Sequence, residues 1–122
     1  MPSTLHECFR LARQHVSKED LEVLANNERH DLADFHFGLG MSVRNQWLYL
    51  EGSVLGKKLF GIGVIDPDDM SSIVVEALWL DLNGQEITLS TLRELVGWSE
   101  RSRFNQQEAD KRLQDLLGTA IS

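Results

Sequence analysis

The chain has little cysteine, little proline and no long hydrophobic run. Its one cysteine, Cys8, excludes an internal disulfide and fits a reducing compartment. The first ten residues, MPSTLHECFR, contain no apolar signal core, and no run approaches the roughly 18 apolar residues of a membrane-spanning helix. We therefore expect a cytoplasmic protein without a membrane partner.

Basic side chains are also scarce: 12 lysines and arginines stand against 19 aspartates and glutamates, giving a net charge of −7. A charge of this sign opposes nucleic-acid binding, which needs a basic surface, and it attracts basic proteins. Of the 122 residues, 42% are hydrophobic and 25% are charged, which is typical of globular proteins. Length and composition predict one domain over residues 1–122, with a protein rather than a nucleic acid as its partner.

Helix start signals recur along the chain. Thr4 with Glu7 has capping-box spacing, and Ser17 with Asp20 gives a second start. Residues 66–69, DPDD, combine a capping aspartate, a proline suited to the first helical position and two acids that suit the helix dipole. With apolar residues three or four apart, these signals predict helices at about 4–15, 17–24, 32–50, 55–60, 66–82, 90–98 and 105–117.

Two segments also permit strands. The β-branched run at 73–75 has strand composition but no convincing partner strand. Asn83-Gly84 is a hairpin signal, which would pair 78–82 with 86–89 in a small α+β fold. The helical periodicity extends over more of the chain, so we predict an all-α domain of five to seven helices, with the hairpin as the main alternative.

The predicted third helix carries an unusual stripe. His36, Gly40 and Arg44 recur every four residues and share one helix face. Gly38 and Gly40 each cost about 1 kcal/mol in a helix interior relative to alanine. Two glycines so close together favour close packing of another helix or, alternatively, the approach of a ligand.

Arg44 and Asn45 offer a planar guanidinium and an amide beside Trp47. Arg44 is suited to bind a carboxylate or a phosphate. The chain itself supplies acidic partners in Asp68 and Asp69, so a structural ion pair between the third helix and the helix at 66–82 is the simpler interpretation. Both interpretations remain open from the sequence.

Signatures of enzymes and metal sites are missing. His30, Asp31, Asp34 and His36 form a short cluster, but no second set of ligands has zinc-site spacing. Cys8 belongs to no recognised nucleophile–base pair, and no glycine-rich phosphate loop follows a strand. We therefore predict no catalytic residue, no cofactor and no metal.

Two segments together, FHFGLGMSVRNQW and GVIDPDDMSSIVVEAL, resemble a family of small uncharacterised bacterial domains. The matching residues are His36, Gly38, Gly40, Met41, Arg44, Asn45, Trp47, Pro67, Asp68, Asp69 and Met70. The resemblance covers roughly residues 32–82. It implies no catalytic activity, and it implies a protein similar to the immunity partner of a secreted toxin.

The favoured hypothesis is a non-catalytic acidic domain that binds a protein, such as an immunity or antitoxin-type inhibitor of a bacterial toxin. Glu19, Asp20 and Glu22 form the candidate acidic surface for a basic partner. The alternative is a ligand-binding or enzymatic domain with a cleft formed by His36, Arg44 and Asp69. A third hypothesis is a self-associating scaffold, since the three tryptophans supply large apolar area.

Overall fold

The computed structural model describes residues 2–28, 32, 53–97 and 106–118. Across these residues every regular element is helical, which confirms the all-α prediction. The described residues form six helices: α1 (Leu5–His15), α2 (Lys18–Asn26), α3 (Val54–Gly61), α4 (Pro67–Leu82), α5 (Leu89–Leu95) and α6 (Gln106–Leu117).

The first two helices begin where their capping residues predict. Thr4 Oγ1 accepts a hydrogen bond from the Glu7 backbone N–H at 3.2 Å, and Ser17 Oγ accepts one from Asp20 N–H at 3.1 Å. Each bond satisfies a backbone donor that has no partner within its helix. The starts of α1 and α2 are therefore fixed by local hydrogen bonds.

α3 and α4 also begin at side-chain caps. Ser53 Oγ accepts from Gly56 N–H at 3.0 Å, and α3 extends one residue beyond the predicted 55–60 at each end. Asp66 Oδ1 accepts from Asp68 N–H at 2.8 Å, and Pro67 occupies the first turn of α4, as predicted. The DPDD segment thus functions as a helix start.

The predicted hairpin alternative is wrong. α4 runs for 16 residues to Leu82 and includes the β-branched run at 73–75, which is buried. Asn83 ends the helix, and Gly84 turns the chain with φ of 69°. The segment forms a helix rather than a hairpin strand because α4 is the central helix. Its apolar residues are buried on most of its circumference.

α5 and α6 complete the described structure. α5 begins at Leu89, slightly earlier than predicted, because Thr88 Oγ1 accepts from Thr91 N–H at 3.2 Å. α6 ends before Gly118, whose φ of 95° is the left-handed conformation that glycine adopts at helix ends. The predicted end of this helix at about residue 117 is confirmed.

The core forms around two helices. α4 contacts α1, α2 and α5, while α6 contacts α1, α3 and α5. All six helices contribute residues to one hydrophobic cluster. Fully buried leucines from different helices include Leu5, Leu24, Leu55, Leu59, Leu78, Leu92, Leu113 and Leu116.

Several sequence predictions lie outside the described residues. They concern the third helix, the His/Asp cluster and the proposed link from Arg44 to the start of α4. The candidate residues in that stretch are His36, Gly38, Gly40, Arg44, Asn45 and Trp47. Leu32, at the start of the same stretch, is half-buried and packs against the core.

Candidate functional site

α2 is fixed against α4 by one buried side chain and two long-range hydrogen bonds. Leu24 is fully buried in the core. The Trp79 indole N–H donates to the carbonyl of Asn27 at 2.9 Å, and Asn83 Nδ2 donates to the carbonyl of Ala25 at 3.2 Å. These bonds satisfy carbonyls at the C-terminal end of α2 that lack partners in the helix. The opposite side of α2 is held in a fixed orientation towards solvent.

That outward side carries the acidic residues singled out in the sequence. Glu19, Asp20 and Glu22 are all exposed, and the first two lie in the first turn, where negative charge is favoured. Val23 lies beside them and is 55% exposed. We call Glu19, Asp20, Glu22 and Val23 the α2 acidic surface.

Three residues of the α2 acidic surface, Glu19, Glu22 and Val23, line a concave region. A surface cavity of about 590 Å³ is lined by Glu19, Glu22, Val23, Asn26, Asn27 and Glu28. Among these described residues none is basic, so the cavity combines negative charge, amide groups and one apolar side chain. This combination suits a basic group with an apolar neighbour, and it opposes an anion.

A second cavity of about 360 Å³ lies between α4, the C-terminal end of α5 and the connection from α3 to α4. We call it the α4–α5 groove. It is lined by Gly63, Val64, Ile65, Asp69, Ser72, Ile73, Glu76, Glu94, Leu95, Val96 and Gly97. Asp69, Ser72 and Glu76 follow helical spacing on one face of α4, a pattern visible in the sequence. The contribution of Glu94 depends on how α5 packs, which the sequence does not indicate.

The two adjacent aspartates of α4 have different positions. Asp69 is exposed and lines the α4–α5 groove. Asp68 is half-buried at the cap, where its N–H donates to Asp66, and its carbonyl accepts from the buried Ser71 hydroxyl at 3.0 Å. Of these two candidates, Asp69 therefore presents its carboxylate to a cavity.

Comparison with known families gives one match, to the model described as "Domain of unknown function (DUF6794)", over residues 1–82. The chain belongs to this family. The DUF6794 match covers α1 to α4 and ends at the last residue of α4. No curated protein and no solved structure gave a match.

The two candidate surfaces differ in how much of each lies within the DUF6794 match. The α2 acidic surface lies entirely within the matched residues. The α4–α5 groove has one wall inside the match, at 63–76, and one wall beyond it, at 94–97. The first surface therefore belongs to the family domain itself, and the second is formed jointly with the helices that follow it.

Cys8 has a core position. Its side chain is 1% exposed, and burial raises the pKa of its thiol to about 12, with the negative charge of Glu7 adding to the shift. The thiol is therefore protonated near neutral pH and unsuited to nucleophilic attack. Ser3 donates to the Glu7 carboxylate from both its backbone N–H and its hydroxyl, which lowers the pKa of Glu7.

The part of the chain that the structure describes contains no candidate metal site and no candidate membrane-spanning helix. No three histidine, cysteine, aspartate or glutamate side chains there are grouped to hold a metal ion. None of the described helices combines the length and the apolar character needed to cross a bilayer.

Proposed function

We propose that this DUF6794 protein is a non-catalytic domain that binds a basic protein partner through the α2 acidic surface. The observation that carries the proposal is the exposure of three carboxylates, on Glu19, Asp20 and Glu22, around the half-exposed Val23. These side chains lie on a helix that α4 holds in place. A rigid surface loses little conformational freedom on binding.

The chemistry of the surface matches the general organisation of protein interfaces. An apolar side chain at the centre gains most from burial, while surrounding charges accelerate encounter and select partners of opposite charge. Val23 supplies the apolar centre and the carboxylates supply the charge. The net charge of −7 extends the attraction beyond direct contact.

Within this proposal, the partner is a bacterial toxin and the chain is its immunity or antitoxin-type inhibitor. The resemblance to small bacterial domains supports this assignment. A toxin that acts on nucleic acid needs a basic surface, and an acidic inhibitor is suited to cover it. The inhibitor would then work by occluding the toxin's active surface in the cytoplasm.

The test begins with capture of partners from the native organism on the tagged chain, at low and high salt, identified by mass spectrometry. We expect one stoichiometric basic protein that associates more slowly as salt rises. Recovery of no protein at either salt concentration would contradict the binding proposal.

Charge reversal then locates the surface. The double variant Glu19→Lys/Glu22→Lys should lose the partner, because two attractive groups become repulsive. Glu86→Lys is the control for charge reversal elsewhere on the molecule, since Glu86 is exposed in the segment after α4 and lines neither cavity. Equal binding by both variants would show that the α2 acidic surface is not the binding site.

A further inference from the structure

We infer that Asn83 is a site of spontaneous deamidation and that this modification releases α2 from α4. Asparagine followed by glycine is the pair in which the reaction is fastest, because glycine has no side chain to shield its backbone nitrogen. In this fold the side-chain amide of Asn83 also joins the two helices. The inference stands apart from the proposed function, since it concerns the chain alone.

The reaction consumes water and releases ammonia. The backbone nitrogen of Gly84 loses its proton and attacks Cγ of Asn83, and the bond from Cγ to Nδ2 breaks as ammonia departs. Water then opens the resulting succinimide ring at either of its carbonyls. The product at position 83 is an aspartate or an isoaspartate, and both carry a negative charge where the amide was neutral.

The amide of Asn83 lies between the C-terminal ends of two helices. Its Nδ2 donates to the Trp79 carbonyl of α4 at 2.9 Å and to the Ala25 carbonyl of α2 at 3.2 Å. Both carbonyls belong to the last turn of their helix, where the helix dipole gives partial negative charge. A carboxylate at this position has no proton to donate and is repelled by both helix ends.

The folded conformation protects Asn83 until the junction between α2 and α4 opens. The ψ angle of Asn83 is 9°, which turns the Gly84 nitrogen away from the Asn83 side chain. The Gly84 N–H also donates to the Asp81 carbonyl at 3.1 Å. Attack therefore requires a local opening that breaks these hydrogen bonds. Because the charged product disfavours closure, the modification acts in one direction.

The modification is measured on the full-length chain, incubated in warm, mildly alkaline buffer and then digested for mass spectrometry. Asn26 and Asn27 are internal controls, because each is followed by a residue with a side chain. A synthetic peptide of residues 81–86 gives the rate without the fold. We expect aspartate and isoaspartate at position 83, formed about tenfold more slowly than in the peptide because opening must come first. An Asn83 that stays intact long after the peptide has reacted would overturn the inference, as would a rate equal to that of the peptide.

The opening that permits the reaction is located with two variants. Trp79→Phe removes the indole N–H that donates to the Asn27 carbonyl, the other bond between α4 and the end of α2. It should accelerate the conversion of Asn83 by about two- to tenfold, the range for one lost hydrogen bond. Thr88→Ala removes a hydrogen bond at α5 instead and should leave the rate unchanged. Equal acceleration in both variants would place the reaction in the globally unfolded chain and overturn the inference.

The consequence for α2 is measured by hydrogen exchange. Asn83→Asp reproduces the aspartate product, and Asn83→Ala removes the donor without adding charge. We expect amides at the C-terminal end of α2 to exchange fastest in Asn83→Asp, more slowly in Asn83→Ala and slowest in the natural chain, with α6 unchanged. Exchange in Asn83→Asp that matches the natural chain would overturn the release of α2, and exchange that matches Asn83→Ala would overturn the role of charge. No partner is needed for these measurements, so their outcome is independent of the proposed function.

Discussion

Cys8 illustrates how a reactive residue type becomes part of the core. It lies on the buried side of α1 with Leu5, Phe9 and Ala12. His6, close to it in sequence, packs edge-to-face on the Phe9 ring, with ring centroids 5.4 Å apart. The apolar surroundings stabilise the neutral thiol, which links the chemistry of this residue to the stability of the fold.

The raised pKa of Cys8 predicts a pH-dependent loss of stability on the alkaline side. The pKa rises from 9.0 to about 12 on folding, so its contribution is fully present below pH 9 and is lost as pH rises towards 12. In that range this group lowers the free energy of unfolding by up to about 1.4 kcal/mol per pH unit. Urea unfolding across the range, in the natural chain and in Cys8→Ala, measures it.

The comparison with Cys8→Ala controls for the other groups that titrate at alkaline pH, because the lysines and the tyrosine are present in both proteins. We expect the variant to show a shallower alkaline decline. Parallel pH profiles for the two proteins would contradict the raised pKa.

At the scale of elements, polar contacts join helices that the core already packs together. Arg13 and Asp81 link α1 to α4 with a 2.5 Å ion pair, and Arg93 with Asp110 links α5 to α6 at the same distance. These pairs are partly exposed, so each contributes little to stability. The bonds that orient α2 have a more specific effect, because they decide which side of that helix faces outward.

Trp79→Phe tests how α4 holds α2. The change removes the indole N–H that bonds to the Asn27 carbonyl and should cost about 0.5–1.5 kcal/mol in urea unfolding. Amides at the end of α2 should exchange with solvent faster relative to those of α6, since the loss is local to α2. Uniform acceleration in both helices would indicate a general core defect instead.

Thr88→Ala tests the start of α5. Loss of the hydroxyl that accepts from Thr91 N–H should reduce stability by about 0.5–2 kcal/mol. Ser90→Ala, an exposed position within the same helix, is the matched control and should stay within about 0.5 kcal/mol of the natural chain. Equal losses in both variants would mean that Thr88 is not the cap.

The sequence predicted those elements whose signals are local. Three helix starts are marked by side chains that cap the helix through short-range hydrogen bonds, namely Thr4, Ser17 and Asp66. Gly118 marks a helix end. The sequence does not fix the start of α5, because Ser90 and Thr91 are also suitable caps and only the backbone geometry selects Thr88. The Asn83-Gly84 turn was ambiguous because it serves a hairpin and a helix end equally well.

At the scale of the whole molecule, the DUF6794 match and the hydrophobic core have different extents. The match ends at Leu82, yet α5 and α6 contribute Leu92, Leu113 and Leu116 to the same cluster. α6 also bonds to α3, where Lys58 Nζ donates to the Asp115 carbonyl at 3.3 Å. The helices after the match therefore complete the core of the matched part.

A fragment of residues 1–82 should fail to fold cooperatively, because the surfaces that α5 and α6 cover would face water. Circular dichroism during urea unfolding measures this. In the full chain, Leu113→Ala should lose about 2–5 kcal/mol, whereas Lys111→Ala, an exposed site on the same helix, should change stability by less than about 0.5 kcal/mol. A cooperative transition in the fragment would contradict this view of the core.

The candidate surfaces were predictable only in part. Glu19, Asp20 and Glu22 form one local run, and their common exposure follows from helix periodicity once Leu24 is placed inside. The meeting of Asp69 with Glu94 across a groove depends on the packing angle of α5, and residues 25 apart in the chain give no local sign of it. The sequence does not identify Val23 as part of this surface, because one apolar residue among acidic ones can be either buried or exposed.

The contact between α6 and the opening helix, α1, cannot form until α6 has been synthesised. At about 5–20 residues per second, the surfaces of α1 and α3 that α6 covers stay open for seconds after their synthesis. During that interval the nascent chain presents apolar surface to its neighbours. A premature stop codon soon after residue 82 would make the interval permanent, and such a product is a substrate for chaperones and proteases.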